Sequence, residues 1–585
     1  GQTSFQLAGT VITNRFETQA TSRMGDNTTA AAYDSIGLGS DGKNLIVSGA
    51  GAADISGSGT VGLGASVNTL TMDNIVEATV GKDSQLVAYA LAKGADAGIK
   101  TSNREDRRKG VIIHAFSDEE IYMAAVAGSV AGSGTVTATG VADTMIIRNL
   151  VNAHVGNNTR VSAGLSPDSG TDVDGDGSSD SSDGEGEITV EAHDETYAIN
   201  FGGALSVNGS GTASVGATVV TISFDNQVSA ILDGGDQSVS AEKTIAVKAD
   251  SKDTLFLLSA SFGITGGTVG GAIGGNVLLF DDLVQAHLGG QIHSGGDVDV
   301  TADSNITLYN IGLSLAGSGT AAVGGVAIVS YFTGTTEALL LSGSSMDALG
   351  DFSLLANSSE FITADGAGIS GGGTAGVSGT VDLVVTKLIT RAEVLDNTGA
   401  TKPIIKAGSI TVDAKDNYQL IGAAATASFS GTAAVGITAI ATIAKNSVSA
   451  GIGDNYDVLT TAKDVLINAL STRDVRSYAA SLEGSGTAAI GVVLMATVVG
   501  GKLDDDSAEA LQKYFNADSL INGEGEELGM KDKAPEAARN IYEGLSETIG
   551  EDISGSGYRY SEASAGEQVQ KTNGNGQPLY YDENN

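Results

Sequence analysis

The chain has 585 residues, a formal net charge of −39 and a pI near 4.2, which make nucleic acid and anionic membranes poor partners and favour cation binding. It contains no cysteine, which excludes disulfides, zinc–thiolate sites and thiol catalysis and favours an exported protein. With 82 glycines, 4 prolines and 41% hydrophobic residues, the composition fits a folded chain rather than collagen or Pro-rich disorder.

Residues 1–44 precede the clear repeat, and we expect them to form an N-terminal cap or junction. From 45 to 503 the sequence repeats a Gly/Ser-rich turn followed by Thr and an apolar stretch, as in Gly-Ser-Gly-Thr-Ala-Ala-Val-Gly. The eight threonines are Thr60, Thr135, Thr212, Thr268, Thr320, Thr374, Thr432 and Thr487.

Two alanines recur within each repeat. The first belongs to an Asn-x-Val-x-Ala pattern and follows the Thr at an identical spacing in all seven copies, from Ala78 to Ala450. The second ends an Ile-x-Val-x-Ala strand, as at Ala192 and Ala249, and precedes the next Thr at a nearly constant spacing. Only the segment between the two alanines varies greatly in length.

This spacing predicts an all-β fold, a right-handed parallel β-helix (β-solenoid). A repeat of about 54 residues divides into three segments of about 18, so we expect three 18-residue coils per repeat and a rod on the order of 100 Å. The Asn residues of the first pattern, among them Asn74, Asn149 and Asn226, are interpreted as corner residues, because Asn tolerates a left-handed backbone.

Two insertions, near 92–110 and 165–187, lengthen the variable segment at the same corner. The first contains the basic run from Arg104 to Lys109, which we interpret as a solvated loop rather than a ligand or processing site.

The second insertion has carboxylates at relative positions 1, 3, 5, 9 and 12 and a glycine, Gly177, at position 6, the spacing of a calcium-binding loop. It predicts a calcium site, and a disordered acidic linker is the alternative. The candidate ligands are Asp172, Asp174, Asp176, Ser178, Asp180 and Asp183.

The repeat fails at Asp505, and residues 504–554 then favour a small α-helical cap or junction. The polar segment 555–585 is predicted to be a tail that is disordered or pairs with a neighbour.

No catalytic motif emerges from the sequence. The five histidines form no metal-binding pair, the glycine-rich stretches lack a P-loop lysine, and the carboxylates are distributed along the repeat. We therefore expect that the chain is not an enzyme.

The Gly-Ser-Gly-Thr, Asn-x-Val-x-Ala and Ile-x-Val-x-Ala-x-Asp patterns over residues 45–503 resemble the repeat region of large filamentous haemagglutinin-like and leukotoxin-like adhesins of Gram-negative bacteria, which are of the two-partner-secretion type. The resemblance implies a secreted or cell-surface rod exported through an outer-membrane pore.

Three functions follow as hypotheses. The first is an adhesive, structural rod that binds host or bacterial cells, glycans or surfaces. The second is a subunit that assembles with copies of itself into a filament or sheath, and the third is a β-helix enzyme that degrades polysaccharide. We expect no nucleic-acid partner and no membrane insertion within this segment.

Overall fold

A computed structural model of the chain describes residues 5–57, 61–101, 107–164 and 170–499. These residues form β-strands joined by turns and loops, which confirms the predicted all-β solenoid. The helical segment expected at 504–554, the tail at 555–585 and positions 104–106 of the basic run lie outside the described residues.

The strands are, in chain order, β1 (Phe5–Met24), β2 (Thr29–Ala32), β3 (Ile36–Ser56), β4 (Val61–Val80), β5 (Gln85–Ala88), β6 (Gly110–Ala131), β7 (Val136–Val155), β8 (Arg160–Ala163), β9 (Glu187–Asn208), β10 (Ala213–Ala241), β11 (Ile245–Thr265), β12 (Val269–Ser294), β13 (Val298–Ser318), β14 (Ala321–Leu340), β15 (Ser345–Ala348), β16 (Phe352–Gly372), β17 (Ala375–Val394), β18 (Ile404–Ala407), β19 (Ile410–Ser430), β20 (Ala433–Ile452), β21 (Asp457–Thr460), β22 (Val465–Ser485) and β23 (Ala488–Val499).

The long strands form two parallel sheets. Sheet 1 has the order β1-β4-β7-β10-β12-β14-β17-β20-β23, and the short strands extend it at one side. Sheet 2 has the order β3-β6-β9-β11-β13-β16-β19-β22. Most coils therefore consist of one long strand of sheet 1, a corner with a short strand, one long strand of sheet 2 and a Gly/Ser-rich turn. In the coils of β10 and β12 the corner segment continues the long strand of sheet 1.

The prediction of three coils per repeat is wrong, because each repeat is a single coil. Val61 pairs with Val136, and Val136 pairs with Ala213, so every residue pairs with its equivalent one whole repeat later. Nine long strands about 4.8 Å apart give a stack of about 40 Å rather than 100 Å. A strand of 20 residues, such as β4, is about 65 Å long, so the coils are wide and the stack is short.

The solenoid also begins earlier than expected. β1 pairs with β4 from Phe5 to Met24, and β3 pairs with β6 from Ile36 to Ser56. The boundary expected at residue 45 therefore lies inside β3, and residues 5–56 form the first coil. The two predicted insertions both lie between a short corner strand and the following strand of sheet 2, so their assignment to one corner is confirmed.

Two apolar clusters fill the space between the sheets. One lies at the corner and includes Val76, Leu86 and Ile113. The second lies nearer the middle of the long strands, where Phe224, Phe280 and Phe332 stack in successive coils with ring centroids 5.0 and 4.4 Å apart. Each coil thus packs the same positions against the coil above and below it.

The asparagines interpreted as corner residues lie in the middle of sheet 1. Asn74, Asn149 and Asn226 are paired in register in β4, β7 and β10, and all three are buried. The corner interpretation was wrong, because the chain remains extended through these residues and their side chains point between the sheets.

Towards the Gly/Ser-rich turns, the two sheets approach to backbone contact. A Cβ atom built on Gly216 would lie 2.3 Å from the carbonyl oxygen of Phe262 in the opposite sheet, and one on Gly324 would lie 2.6 Å from that of Ile369. Glycine is required where backbones pass this closely. We call this part of the coil, from the turns to the middle of the long strands, the thin half.

Candidate functional site

The acidic loop predicted to bind calcium lies between β8 and β9, on the corner of its coil. Asp172 accepts backbone hydrogen bonds from Gly175 at 2.7 Å and Gly177 at 2.9 Å, and Gly177 has a φ of 88°, as the expected sharp turn requires. One carboxylate oxygen from each of Asp172, Asp174 and Asp176 lies within 4.8 Å of the others. Three predicted ligands are therefore brought together, in solvent.

The other three predicted ligands have different contacts. The Ser178 hydroxyl donates a hydrogen bond to Asp176, and Asp180 accepts one from the Val173 backbone at 2.8 Å. Asp183, the expected twelfth ligand, forms a 2.7 Å ion pair with Lys93 of the first insertion, which lowers the pKa of its carboxyl group. A shell of all six ligands is not assembled here, so calcium binding by this loop stays a prediction.

A larger feature escaped the sequence analysis, namely the outer face of sheet 1 over the thin half. We call it the apolar face. In each long strand, the first five outward positions after the turn are uncharged, and aliphatic residues and glycine occupy most of them. In three central coils these positions are Ala213, Val215, Ala217, Val219 and Thr221, then Val269, Gly271, Ile273, Gly275 and Val277, then Ala321, Val323, Gly325, Ala327 and Val329.

Four of these fifteen residues are exposed and ten are partly exposed, whereas Val329 is buried. Ile273 is 57% exposed, Val219 49% and Val323 46%, although neighbouring coils shield the flanks of each. Across all nine strands the face measures about 30 by 38 Å, an area on the order of 1,000 Å². The largest apolar patch of an ordinary monomer is about 300–600 Å².

A row of charged residues borders the apolar face. Glu17, Asp73, Arg148, Asp225 and Asp281 occupy the seventh outward position of successive strands, and they are paired in register. The face therefore ends abruptly at the middle of the strands, where the polar surface begins.

The outer face of sheet 2 has the same character over the thin half. Its outward residues include Phe201 and Leu205 of β9, Leu258 and Phe262 of β11, and Leu313 of β13. Both broad surfaces of the thin half are therefore apolar.

The interior of the thin half differs from its apolar outer surfaces, because most of its residues are small or polar. In β10 the inward positions are Ser214, Gly216 and Thr218, which alternate with the outward valines. Because the sheets are so close near the turns, small or polar residues occupy most of these positions and larger aliphatic residues lie outside, although Val141 and Val326 are buried at the positions equivalent to Thr218. The alternation was visible in the sequence, but assigning its two sides required knowing where each strand faces.

The comparisons add no relative: no protein-family model, no curated protein and no solved structure matches this chain. Within the residues that the structure describes, there is no helix long and apolar enough to span a membrane.

Proposed function

We propose that this chain is a non-catalytic structural and adhesive element of an extracellular assembly, in which copies pack through the apolar face of sheet 1. The single observation that supports this proposal is the size of that face. It exceeds the roughly 800 Å² that each partner contributes to a standard stable interface.

The shape of the apolar face is suited to packing against a second β-sheet. Large residues alternate with small ones, as in Gly271, Ile273, Gly275 and Val277, so the side chains of a second face have gaps to enter. Two such faces pack about 10 Å apart. The flat, uncharged surface requires no buried ion pair, and the charged border remains in water.

Both broad surfaces of the thin half are apolar, which favours an extended assembly. A copy on the face of sheet 1 leaves the face of sheet 2 open for another. The net charge of −39 opposes uncontrolled association and restricts contact to the faces that lack charge. This arrangement supports the filament or sheath hypothesis of the sequence analysis.

Adhesion to host or bacterial cells and glycans remains the prediction of the family resemblance. The apolar face supports attachment to surfaces in general, without favouring one glycan or cell type. Secretion to the cell surface belongs to the same proposal.

Analytical ultracentrifugation over a range of concentrations tests the packing. Wild type is expected to associate, and V219K/I273K, which places two ammonium groups on the face, is expected to weaken association at least 100-fold, since burying an unpaired charge is costly. The matched control is L349K/I404K, in which two exposed aliphatic residues at the corner, 75% and 51% exposed, receive the same change.

The control is expected to associate like wild type. A wild type that stays monomeric, or two variants that associate equally, would contradict the proposal. Binding of a monomeric wild type to a polysaccharide panel would support adhesion to foreign surfaces instead.

A further inference from the structure

A second polar feature lies inside the solenoid, between the corner cluster and the central cluster of apolar residues. It consists of carboxylates at two neighbouring inward positions of sheet 2 and, in β12, at the position that asparagine occupies in other strands of sheet 1. Glu119, Asp194, Asp253 and Asp282 are each at most 2% exposed. They form two groups, Glu119 with Asp194 (pair 1) and Asp253 with Asp282 (pair 2).

Pair 1 is held between β6, β7 and β9. The Thr196 hydroxyl lies 3.3 Å from Glu119 Oε2 and 3.1 Å from Asp194 Oδ2, so it joins the two carboxylates. The Asn149 amide nitrogen donates to the Thr196 hydroxyl at 3.0 Å. Asp194 Oδ1 and Asn149 Oδ1 are buried and accept no hydrogen bond. Ser117 and the Asn74 amide donate to Glu119 Oε1. The oxygens of pair 1 that lack a donor are therefore Asp194 Oδ1 and Asn149 Oδ1.

Pair 2 lies in the next coils and differs from pair 1, because Asp282 occupies the asparagine position of sheet 1. The Asn226 amide nitrogen lies 3.3 Å from Asp253 Oδ2 and 3.2 Å from Asp282 Oδ1, between the two carboxylates. Ser251 donates to Asp253 at 2.9 Å, and Ser304 donates to Asp282 at 2.7 Å. Asp253 Oδ1 and Asn226 Oδ1 are again buried without a hydrogen-bond donor.

The two carboxylates of each pair are buried away from water. Burial, reinforced by neighbouring carboxylates, raises the pKa of Asp194 and Asp253 well above the ordinary value and that of Asp282 to about 7. A buried carboxylate must be protonated, paired with a base or bound to a metal. A proton shared within a pair neutralises only one of its two negative charges.

We propose that pair 1 and pair 2 each bind one calcium ion inside the solenoid. In pair 1 the ligands are the two carboxylates, the Asn149 carbonyl and the Thr196 hydroxyl. In pair 2 they are the two carboxylates, the Asn226 carbonyl and the neighbouring serine hydroxyls. A half-turn of each asparagine amide places its oxygen where its nitrogen now lies.

The chemistry of the donors favours calcium over other cations. All are oxygens, the set that hard divalent cations prefer, and one divalent ion neutralises both carboxylates of a pair. Magnesium usually retains several waters, whereas calcium accepts an irregular shell of protein oxygens. A buried position between two apolar clusters therefore suits calcium better.

A third carboxylate pair provides an internal comparison. Glu360 and Asp416 also face each other inside the solenoid, and burial raises the pKa of both, but the positive charge of Arg473 acts to lower the pKa of Asp416. Arg473 donates a 2.5 Å hydrogen bond to the backbone carbonyl oxygen of Asn446 in the same coil. Because a cation is already present, this pair is not assigned a calcium ion.

Metal content measured by mass spectrometry, after dialysis against calcium chloride and then metal-free buffer, tests the proposal. All proteins carry D174A/D176A, which removes the acidic loop as a source of bound calcium. That parent is expected to retain two ions per chain. E119Q/D194N and D253N/D282N are each expected to retain one, and the control E360Q/D416N is expected to retain two.

A chelator provides a second measurement that needs no interior variant. EDTA is expected to lower the thermal midpoint of the parent, and calcium chloride is expected to restore it. A parent that retains no calcium and melts at the same temperature with EDTA or with calcium would overturn the proposal. Equal metal content in the parent, E119Q/D194N and D253N/D282N would also overturn it.

Discussion

Alanine in place of Gly216 tests the close approach of the two sheets in the thin half. The Cβ atom of the new residue would lie 2.3 Å from the Phe262 carbonyl oxygen, and separations below 3.0 Å essentially never occur in proteins. The sheets would have to separate by roughly 1 Å at this point, and overpacking of this kind costs about 1–3 kcal/mol. Because each coil is stacked on its neighbours, the displacement cannot remain within one coil.

The matched control is alanine in place of Gly140, an outward position in the adjacent strand β7. Nothing lies within 4 Å of a Cβ atom there. Alanine loses less conformational entropy than glycine when it enters a strand, so G140A is expected to be neutral or more stable by about 0.5–1 kcal/mol. The free energies of unfolding of G216A and G140A should therefore differ by about 1–4 kcal/mol.

Guanidinium unfolding, followed by circular dichroism at low protein concentration, measures this difference. The dependence of the free energy of unfolding on denaturant concentration is also compared between the variants, because a solenoid that loses cooperativity unfolds in stages. Equal midpoints for G216A and G140A would refute the backbone contact between the sheets.

Three further predictions concern single features of the fold. F280A, which interrupts the interior phenylalanine stack, is expected to lower the free energy of unfolding by about 3–5 kcal/mol. The control F256A, at a partly exposed position on the outer face of sheet 2, is expected to lower it by clearly less, and equal losses would contradict the assignment of the two faces. Burial raises the pKa of Glu337, but hydrogen bonds and ion pairs from a neighbouring histidine and arginine outweigh it and lower the pKa to about 2. Its ionisation therefore stabilises the fold above about pH 4.3, the pKa of an unfolded glutamate, and this stability is lost as the pH falls towards 2. In thermal melts over that pH range, the melting temperature of E337Q should depend less on pH than that of wild type. An equal dependence of melting temperature on pH would argue against the ion pair. Calorimetric titration should show calcium binding to the acidic loop with a dissociation constant of about 10⁻⁴ to 10⁻³ M. D174A/D176A should abolish this binding, and identical titrations of wild type and variant would exclude the loop as a site.

The sequence predicted the solenoid, its turns and the corner that carries the insertions, because these depend on local patterns. Alternation with a period of two identifies a strand, and a Gly/Ser-rich run identifies a reversal. The constant spacing between each Thr and the first Ala now has a physical explanation. The intervening positions lie within one continuous strand of sheet 1, where an added residue would turn every later side chain to the opposite face.

The coil size could not be obtained in the same way. Strands in ordinary proteins average about five or six residues, so a segment three times as long was interpreted as a whole coil rather than as one strand. Asn74 and its equivalents were assigned to corners because Asn tolerates a left-handed backbone. Their place beside Glu119, between the sheets, depends on pairing across whole repeats, which no local pattern reveals.

Which side of a strand faces inward was also beyond the sequence. The usual rule buries Val219 and exposes Ser214, and the thin half reverses it because the sheets are too close for large side chains. The apolar face was missed for this reason, although its residues belong to the repeat that the sequence shows.

The corner between a short strand and sheet 2 is the one place where the described repeats differ greatly in length. Chain added there leaves the paired strands unchanged, as the loop between β8 and β9 demonstrates. Since the coils are about 4.8 Å apart, this edge provides a row of attachment points, one per coil, along the stacking direction. Peptides grafted at several of these points would project from one side of the protein at a fixed, molecular spacing.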